Sequence, residues 1–327
     1  MRAWQVLALG DPREVLSLDQ VPDPEPGPGQ VLVRVLGAAA NFPDVLMCQG
    51  AYQVRPPLPF TPGIELCGEV VRAGDRVTGF AAGDRVIGSP ALPSGAYAEL
   101  ALMNAGAILP APDGLDDAEA AAFFITYQTG WFGLHRRAKL AAGETLLVQA
   151  AAGGVGSGAV QLGKAAGARV IGVVGGEHKA EVARELGADV VIDRLSQDFV
   201  AVVKEVTGGR GADVVYDSVG GEAYTKSTKC VAFEGRILVV GFASGQIPSV
   251  ALNHALIKNY SIVGLHWGLY QTKEPQAIGE CHRQLTKLVA DGAIRPLVSE
   301  RLGLEEVPGV LHRLSRGDTV GRVVFTP

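Results

Sequence analysis

The stretch Thr145–Gly167, TLLVQAAAGGVGSGAVQLGKAAG, constrains the fold more than any other part of the chain. It opens on the apolar run Leu146-Leu147-Val148, as a buried parallel strand does. The turn Gly153-Gly154-Val155-Gly156 follows, and then small and apolar residues ending in Gly167, a helix stopped by a C-terminal glycine. Strand, glycine turn and helix put free N–H groups and a helix dipole where an anion such as a pyrophosphate can sit. Glycine is required there because a Cβ would hold phosphate off the backbone. The match to G-x-G-x-x-G is imperfect, with Ala151, Gly153 and Gly156 at its three positions. By itself the turn also fits other α/β domains.

A second strand, Arg169–Val174, arrives on schedule for a βαβ unit. It ends in Gly175-Gly176 and not in the Asp or Glu that would hold the ribose 2′-hydroxyl of NAD. A missing acid with a cation nearby suits the 2′-phosphate of NADPH. Lys179 is the first such cation and Arg194 the second, although Lys179 also fits a solvated helix position and Glu177 is an awkward neighbour for phosphate.

A chain of 327 residues suggests two domains, and 47% hydrophobic with 19% charged residues describes an ordinary globular protein. A net charge of −5 without a Lys/Arg run argues against a nucleic-acid surface. No apolar stretch has the length of a membrane span, and the N-terminus lacks a signal-peptide core. Cys48, Cys67, Cys230 and Cys281 form no C-x-x-C, which fits free thiols in a reducing, cytoplasmic setting.

The first ~120 residues alternate apolar and polar positions and are rich in Pro and Gly, a β-barrel-like pattern. Val31, Val33 and Val35 mark a strand after the loop Pro22–Gly29. The near-repeats Ala73–Val77 and Ala82–Val86 read as two turns, each launching a strand, and Gly95–Leu102 as another strand. Leu109–Gly114 marks a domain boundary. Asp116-Asp117-Ala118-Glu119 starts a helical, alanine-rich segment running to Leu140. Further strands are expected at Val190–Ile192, Asp213–Tyr216 and Arg236–Val240. The turns after the last two, Asp217–Gly221 and Gly241–Gly245, are candidate walls for a nicotinamide, bringing in Val219, Phe242 and Ser244. Glu280–Ala290 reads as a helix with Gly292 just beyond it, and Thr319–Thr326 as a closing strand.

The segment AAAGGVGSGAVQLGKAAGARVIG resembles the medium-chain dehydrogenase/reductase superfamily. Asn41–Asp44, Gln49–Tyr52, Pro62–Glu65, Gly95–Glu99 and Tyr216–Gly220 are similar to its zinc-free, zeta-crystallin-like NADPH:quinone oxidoreductase branch. The resemblance implies an α/β protein with a GroES-like β-barrel catalytic domain, residues 1–121 and 265–327. A Rossmann doubly wound parallel-sheet domain, residues 122–264, would be inserted into it and bind NADPH. It also implies a homodimer joined edge to edge through the Rossmann sheets, and an active site in the cleft.

Zinc members of the superfamily carry Cys where Asn41 stands and His where Ile64 stands, so no tetrahedral zinc site is expected. Glu65 fits a structural carboxylate. Without a metal, a placed donor must stabilise charge on the substrate oxygen. The resemblance points to Asn41 and Tyr52, the latter matching a proposed proton donor of 2-enoyl-thioester reductases. A quinone needs such a donor less, because its reduced oxygens can be protonated by water. Thr126, Phe242 and Leu265 would border the nicotinamide. The expected activity is metal-free hydride transfer from NADPH to a quinone or other α,β-unsaturated carbonyl. The alternatives are an enoyl-thioester reductase and an NADPH-sensing or RNA-binding module with little turnover. The acceptor itself is not legible in the sequence.

Overall fold

The computed structural model describes residues 1–327, which divide into two compact units, 1–125 with 295–327, and 126–294. The chain begins with a two-stranded antiparallel ladder, β1 (Arg2–Val6) and β2 (Leu16–Gln20), joined through the short helix α1 (Pro12–Val15). Then come β3 (Gln30–Ala39), α2 (Phe42–Cys48), β4 (Leu66–Ala73), β5 (Arg85–Gly88), β6 (Leu100–Asn104), β7 (Ile108–Pro110) and α3 (Asp117–Ala121). Val31, Val33 and Val35 of β3 are all buried, as their alternation requires of a core-facing set. Asp116 caps α3 and forms a capping box with Glu119.

Two local expectations are corrected here. Only the second Ala-Gly-Asp-Arg-Val copy launches a strand, β5. The first closes β4, and Arg76 leaves it at φ +70°, off any strand path. The regular strand after Gly95 starts only at Leu100. Gly95 lies so close to the Thr61 and Pro62 carbonyls that a Cβ would come within 2.3 Å of each, so this segment follows the Pro62-Gly63 turn before joining β3.

The second unit opens in α4 (Phe124–Trp131), continues through a π-helical turn at Phe132–Arg137, and then enters the parallel sheet. Its elements are β8 (Thr145–Gln149), α5 (Gly154–Ala165), β9 (Arg169–Val174), α6 (Glu177–Glu185), β10 (Val190–Asp193), α7 (Phe199–Val206), β11 (Ala212–Asp217), α8 (Gly221–Ser227), β12 (Val231–Val239), α9 (Leu252–Lys258) and β13 (Ser261–Gly264). The strand order is β10-β9-β8-β11-β12-β13, all parallel, so the order reverses between β8 and β11. This is the doubly wound Rossmann arrangement, with its switch point beside the glycine turn. β8 is buried along its whole length, as a strand covered on both faces must be. The alanine-rich segment expected to be helical to Leu140 is broken into α3, α4 and the π turn.

The chain does not leave this unit at residue 265. Helices α10 (Gly268–Lys273) and α11 (Pro275–Ala290) stay with it. Trp267 Nε1 donates to Gln128 Oε1 at 3.3 Å, Arg136 pairs with Glu274 at 2.6 Å, and Trp131 Nε1 donates to Gln284 Oε1 at 3.2 Å. These contacts tie both helices to α4 and the π turn. The boundary expected at 264/265 therefore lies at 294/295.

Residues 295–327 return to the first unit as β14 (Val298–Gly303), α12 (Val307–Ser315) and β15 (Arg322–Thr326). The sheet order is β14-β15-β3-β4-β5-β7, with β6 also pairing β3, so β15 completes a GroES-like barrel begun by the N-terminal strands. Tyr97, Phe60, Leu66 and Phe325 fill its core. No helix is long and apolar enough to cross a membrane.

Candidate cofactor cradle and the buried polar network

In the second unit the glycine turn joins β8 to α5. Gly153 is the N-cap of α5 and has no side chain to satisfy the helix's first N–H groups. Those of Gly154, Val155 and Gly156 lie in the first turn, which has no intrahelical acceptor. Gly153, Gly154 and Val155 are half-buried, so the N-terminus is open to a ligand, while Gly156 is buried. A Cβ on Gly156 would lie 2.1 Å from the Ala150 carbonyl oxygen. Ala151 N–H donates to Val173 O at 3.0 Å and stitches the turn to β9.

The carboxyl ends of the parallel strands share one edge of the sheet, and the other expected cofactor residues of this unit are nearby. Val219 follows β11, and Phe242 and Ser244 follow β12. Ser244 N–H donates to Val219 O at 3.0 Å and Ala243 N–H to Ser218 O at 3.0 Å, so these two turns form one wall. Asp217, 1% exposed, shapes that wall by accepting from the N–H groups of Val219 and Gly220 at 2.8 and 2.9 Å. Burial raises the Asp217 carboxyl, and those two N–H groups oppose the rise. Leu265 follows β13 and bonds through its N–H to Val239 O at 3.0 Å. Thr126, on α4, has a buried Oγ1 with no hydrogen-bond partner.

At the end of β9, the Arg194 guanidinium lies across Gly175. A Cβ on Gly175 would be 3.0 Å from Arg194 Nη2 and 3.3 Å from its Cζ. The nearby acid, Asp193, is committed to the backbone and accepts from Gly176 N–H at 2.8 Å and Leu195 N–H at 3.0 Å. Lys179 is half-buried in the first turn of α6.

In the first unit, Asn41 is not positioned as the sequence suggests. It is 3% exposed at the start of α2 and its side chain is fully engaged. Nδ2 donates to Ala39 O and Glu65 Oε2, both at 3.0 Å, while Oδ1 accepts from Arg322 Nη1 at 2.9 Å. The carboxylate on one side and the guanidinium on the other fix the amide's orientation. Both amide protons are used, so in this arrangement Asn41 has none for a substrate oxygen. Glu65 also accepts from Ile125 N–H at 2.6 Å and from Arg322 Nη2. Burial pushes its carboxyl up, while Arg322, Asn41 and Ile125 pull it down. Asp44 accepts from Tyr97 O–H at 2.6 Å and Asn41 N–H at 2.9 Å.

Tyr52 follows α2 and packs, half-buried, against the barrel core. Its phenol is pushed above the usual 10 by burial and by the Asp44 carboxylate, so it is a protonated donor at neutral pH.

Arg322 and Asp44 were not singled out from the sequence. Arg322 was readable as a lone cation inside the apolar strand TVGRVVFT, and Asp44 as an acid three residues after a helix-capping Asn.

Residues 27–113 match the alcohol dehydrogenase GroES-like domain family, and residues 154–283 the zinc-binding dehydrogenase family. The chain is 38% identical to a quinone oxidoreductase-like protein 2 homolog of Nematostella vectensis, over 91% of this chain and 82% of that one. It is 36% identical to a quinone oxidoreductase of Pseudomonas aeruginosa, over 99% and 98%. It superposes with a TM-score of 0.93, at 31% identity and over 100% of both chains, on Escherichia coli quinone oxidoreductase complexed with NADPH.

The zinc in the second family's name has no fitting donor set here. An amide locked to Glu65 and Arg322, an isoleucine at position 64 and a carboxylate paired with a guanidinium do not make a tetrahedral N/S site. No group of three or more His, Cys, Asp or Glu is arranged to hold a metal.

Proposed function

Since this chain belongs to the zinc-free quinone oxidoreductase branch of the medium-chain dehydrogenase/reductase superfamily, we propose that it is an NADPH-dependent, metal-free reductase of quinones or other α,β-unsaturated carbonyls. The observation that carries the cofactor reading is the end of β9. Gly175 stands where an NAD-binding acid would be, Arg194 lies across it, and Asp193 is used up by backbone N–H groups. Arg194 and Lys179 then take the 2′-phosphate. The N–H groups of Gly154, Val155 and Gly156 take the pyrophosphate, and Gly153 lets it approach. Val219, Phe242, Ser244, Leu265 and the unpartnered Thr126 hydroxyl serve the nicotinamide end. Bound NADPH supplies the hydride. Tyr52 supplies a proton where the acceptor needs one. Asn41 acts from behind, holding the start of α2.

We also place a homodimer contact at β13. It is the last strand of its sheet, and Phe233, Leu252, Leu256 and Ile257 around it are each at least 68% exposed. An unpaired strand edge beside such an apolar surface is a pairing template.

The test is oxidation of NADPH against NADH with benzoquinone, phenanthrenequinone, an alkenal and crotonyl-CoA as acceptors. NADPH-preferring turnover with a quinone or alkenal is expected. A preference for NADH overturns the Arg194 and Lys179 assignment. Crotonyl-CoA as the best acceptor moves the activity to enoyl-thioester reduction. Tight NADPH binding with no turnover leaves a binding module.

A further inference from the structure

Leu265 follows β13, the last strand of its sheet, so no further strand of this chain braces its outer side. Its N–H bonds Val239 O at 3.0 Å. Two further holds come from the π turn at Phe132–Arg137. Arg137 Nε donates to Gly264 O at 3.0 Å. That carbonyl and the Leu265 N–H belong to one peptide unit, which is planar and trans, so its two polar atoms point to opposite sides. With Val239 on one and Arg137 on the other, the plane cannot tilt without breaking a bond. Gly133 supplies the second hold. A Cβ there would stand 3.3 Å from Leu265 Cδ2, 2.8 Å from Leu238 Cδ2 and 3.5 Å from Tyr216 Cε2. Tyr216 and Leu238 are in register on β11 and β12, so they share one face of the sheet, and glycine lets the turn lie close on that face. The turn is itself fixed. Ala138 N–H bonds Gly133 O at 2.8 Å, a step of five residues in place of the four of an α-helix. Just past it, Arg236 Nε donates to Ala138 O at 2.6 Å and Nη2 to Lys139 O at 2.9 Å, while Nη1 pairs with Glu144 at 2.7 Å. Such a turn gives up the regular helix ladder and recurs at sites that need it.

Resting on the reading of Leu265 as a wall of the nicotinamide end, we propose that Arg137 and Gly133 are positioning residues for hydride transfer. Arg137 sets the main chain at Leu265 and Gly133 sets its side chain, and through them the depth and tilt of the dihydronicotinamide ring. Both act through Leu265 and not on the cofactor. Hydride transfer is steep in geometry, and a displacement of about 1 Å can cost about a hundredfold in rate. Losing Arg137 frees one side of the Gly264–Leu265 peptide. A methyl on Gly133 crowds Leu238 and Leu265 from beneath. Either change misplaces the ring and leaves the phosphate end, at Gly153–Gly156 and Arg194, as it was.

The test compares the full-length wild type with Arg137→Ala, Arg137→Lys, Gly133→Ala, Arg136→Ala and Leu265→Ala. Three quantities are read. They are the single-turnover rate of hydride transfer to the best acceptor of the panel above, the fluorescence of bound dihydronicotinamide, and affinity for 2′-phospho-ADP-ribose, which has the phosphates of NADPH and no nicotinamide. Arg137→Ala should bind 2′-phospho-ADP-ribose as wild type does and transfer hydride about tenfold or more slowly. Its bound NADPH should emit more like the free nucleotide. Gly133→Ala should show a smaller change of the same kind, and Arg137→Lys, which keeps a donor, should recover part of the rate. Arg136→Ala is the control for a loosened turn. It loses the bond to Glu274, beyond Leu265 in the chain, so its melting temperature should fall while rate and emission hold. Wild-type rate and emission in Arg137→Ala, with both altered in Leu265→Ala, overturn the proposal. If Leu265→Ala alters neither, the Leu265 reading is the one that fails, and the proposal falls with it. Equal changes in Arg136→Ala and Arg137→Ala, or loss of 2′-phospho-ADP-ribose binding in Arg137→Ala, would show a general loosening of the fold and overturn it as well. Emission decides alone if no acceptor is reduced.

Discussion

Arg322 and Glu65 stand 257 positions apart in sequence and form a buried ion pair, 5% and 0% exposed, that joins the last strand of the chain to the start of β4. Asn41 bridges the two. Removing one partner leaves the other's charge uncompensated away from water, which costs about 3–5 kcal/mol, whereas replacing both by apolar groups of similar volume is near neutral. Arg322→Met and Glu65→Gln are each expected to lower the urea midpoint sharply, and Arg322→Met with Glu65→Met to recover much of the loss. Additive losses in the double variant would show that the pair is not the coupling.

Asp44 gives the stability of the protein a definite pH dependence. An acid whose folded pKa lies above its unfolded value holds its proton more tightly in the folded state. With about 7 folded against 3.8 unfolded, the stabilisation is complete below the unfolded value and is lost as pH rises through the folded one. Asp44→Asn lacks this loss. Its stability relative to wild type should rise between about pH 4 and pH 7, by up to about 4 kcal/mol. Urea unfolding across that range measures the trend. A difference that stays flat with pH would mean that Asp44 is ionised throughout.

What was legible in the sequence was local. β8, the glycine turn and α5 are specified within a few residues of one another. So are the Asp116/Glu119 capping box and the αL glycine Gly292 after α11, at φ +69°. What was not legible depended on partners far along the chain. Asn41 looks like an available donor until Arg322, 281 residues away, is placed on its oxygen. The sequence places the end of the second unit too early because nothing near Leu265 shows that Trp267 bonds to Gln128. Only the fold decides between two identical Ala-Gly-Asp-Arg-Val turns, since β4 claims the first and β5 the second.

Arg194 is the residue on which cofactor choice should turn. A hydrogen bond to a charged group contributes about 1.5–3 kcal/mol, or roughly ten- to more than hundredfold in affinity. Arg194→Ala should weaken NADPH binding by about that factor and leave NADH nearly unchanged. Lys179→Ala should act in the same direction. Gly175→Val tests the contact from the other side, because its side chain would meet the guanidinium at 3.0 Å and displace it. Calorimetric titration with both nucleotides decides. Equal losses for NADPH and NADH would move Arg194 from the 2′-phosphate to the adenine or to the fold.

Gly153 and Gly156 belong to one turn but should not respond alike to alanine. At Gly156 the added methyl would lie 2.1 Å from the Ala150 oxygen and 2.8 Å from its carbon, both main-chain atoms that no rotamer change can move. Ala150 is itself held at φ +53°, so the turn has little freedom left to yield. At Gly153 the nearest atom is the same oxygen at 3.2 Å, a contact relieved by a few tenths of an ångström. Gly156→Ala should therefore cost about 1–3 kcal/mol or more of stability, as overpacking does. It should also lose NADPH binding, because the first turn of α5 must shift. Gly153→Ala should keep the wild-type melting temperature within a few degrees, since it costs under about 1 kcal/mol, and still weaken NADPH, its methyl standing where the pyrophosphate approaches. Melting curves with and without NADPH separate the two effects. If Gly153→Ala bound NADPH as wild type does, the pyrophosphate would have to lie elsewhere along α5.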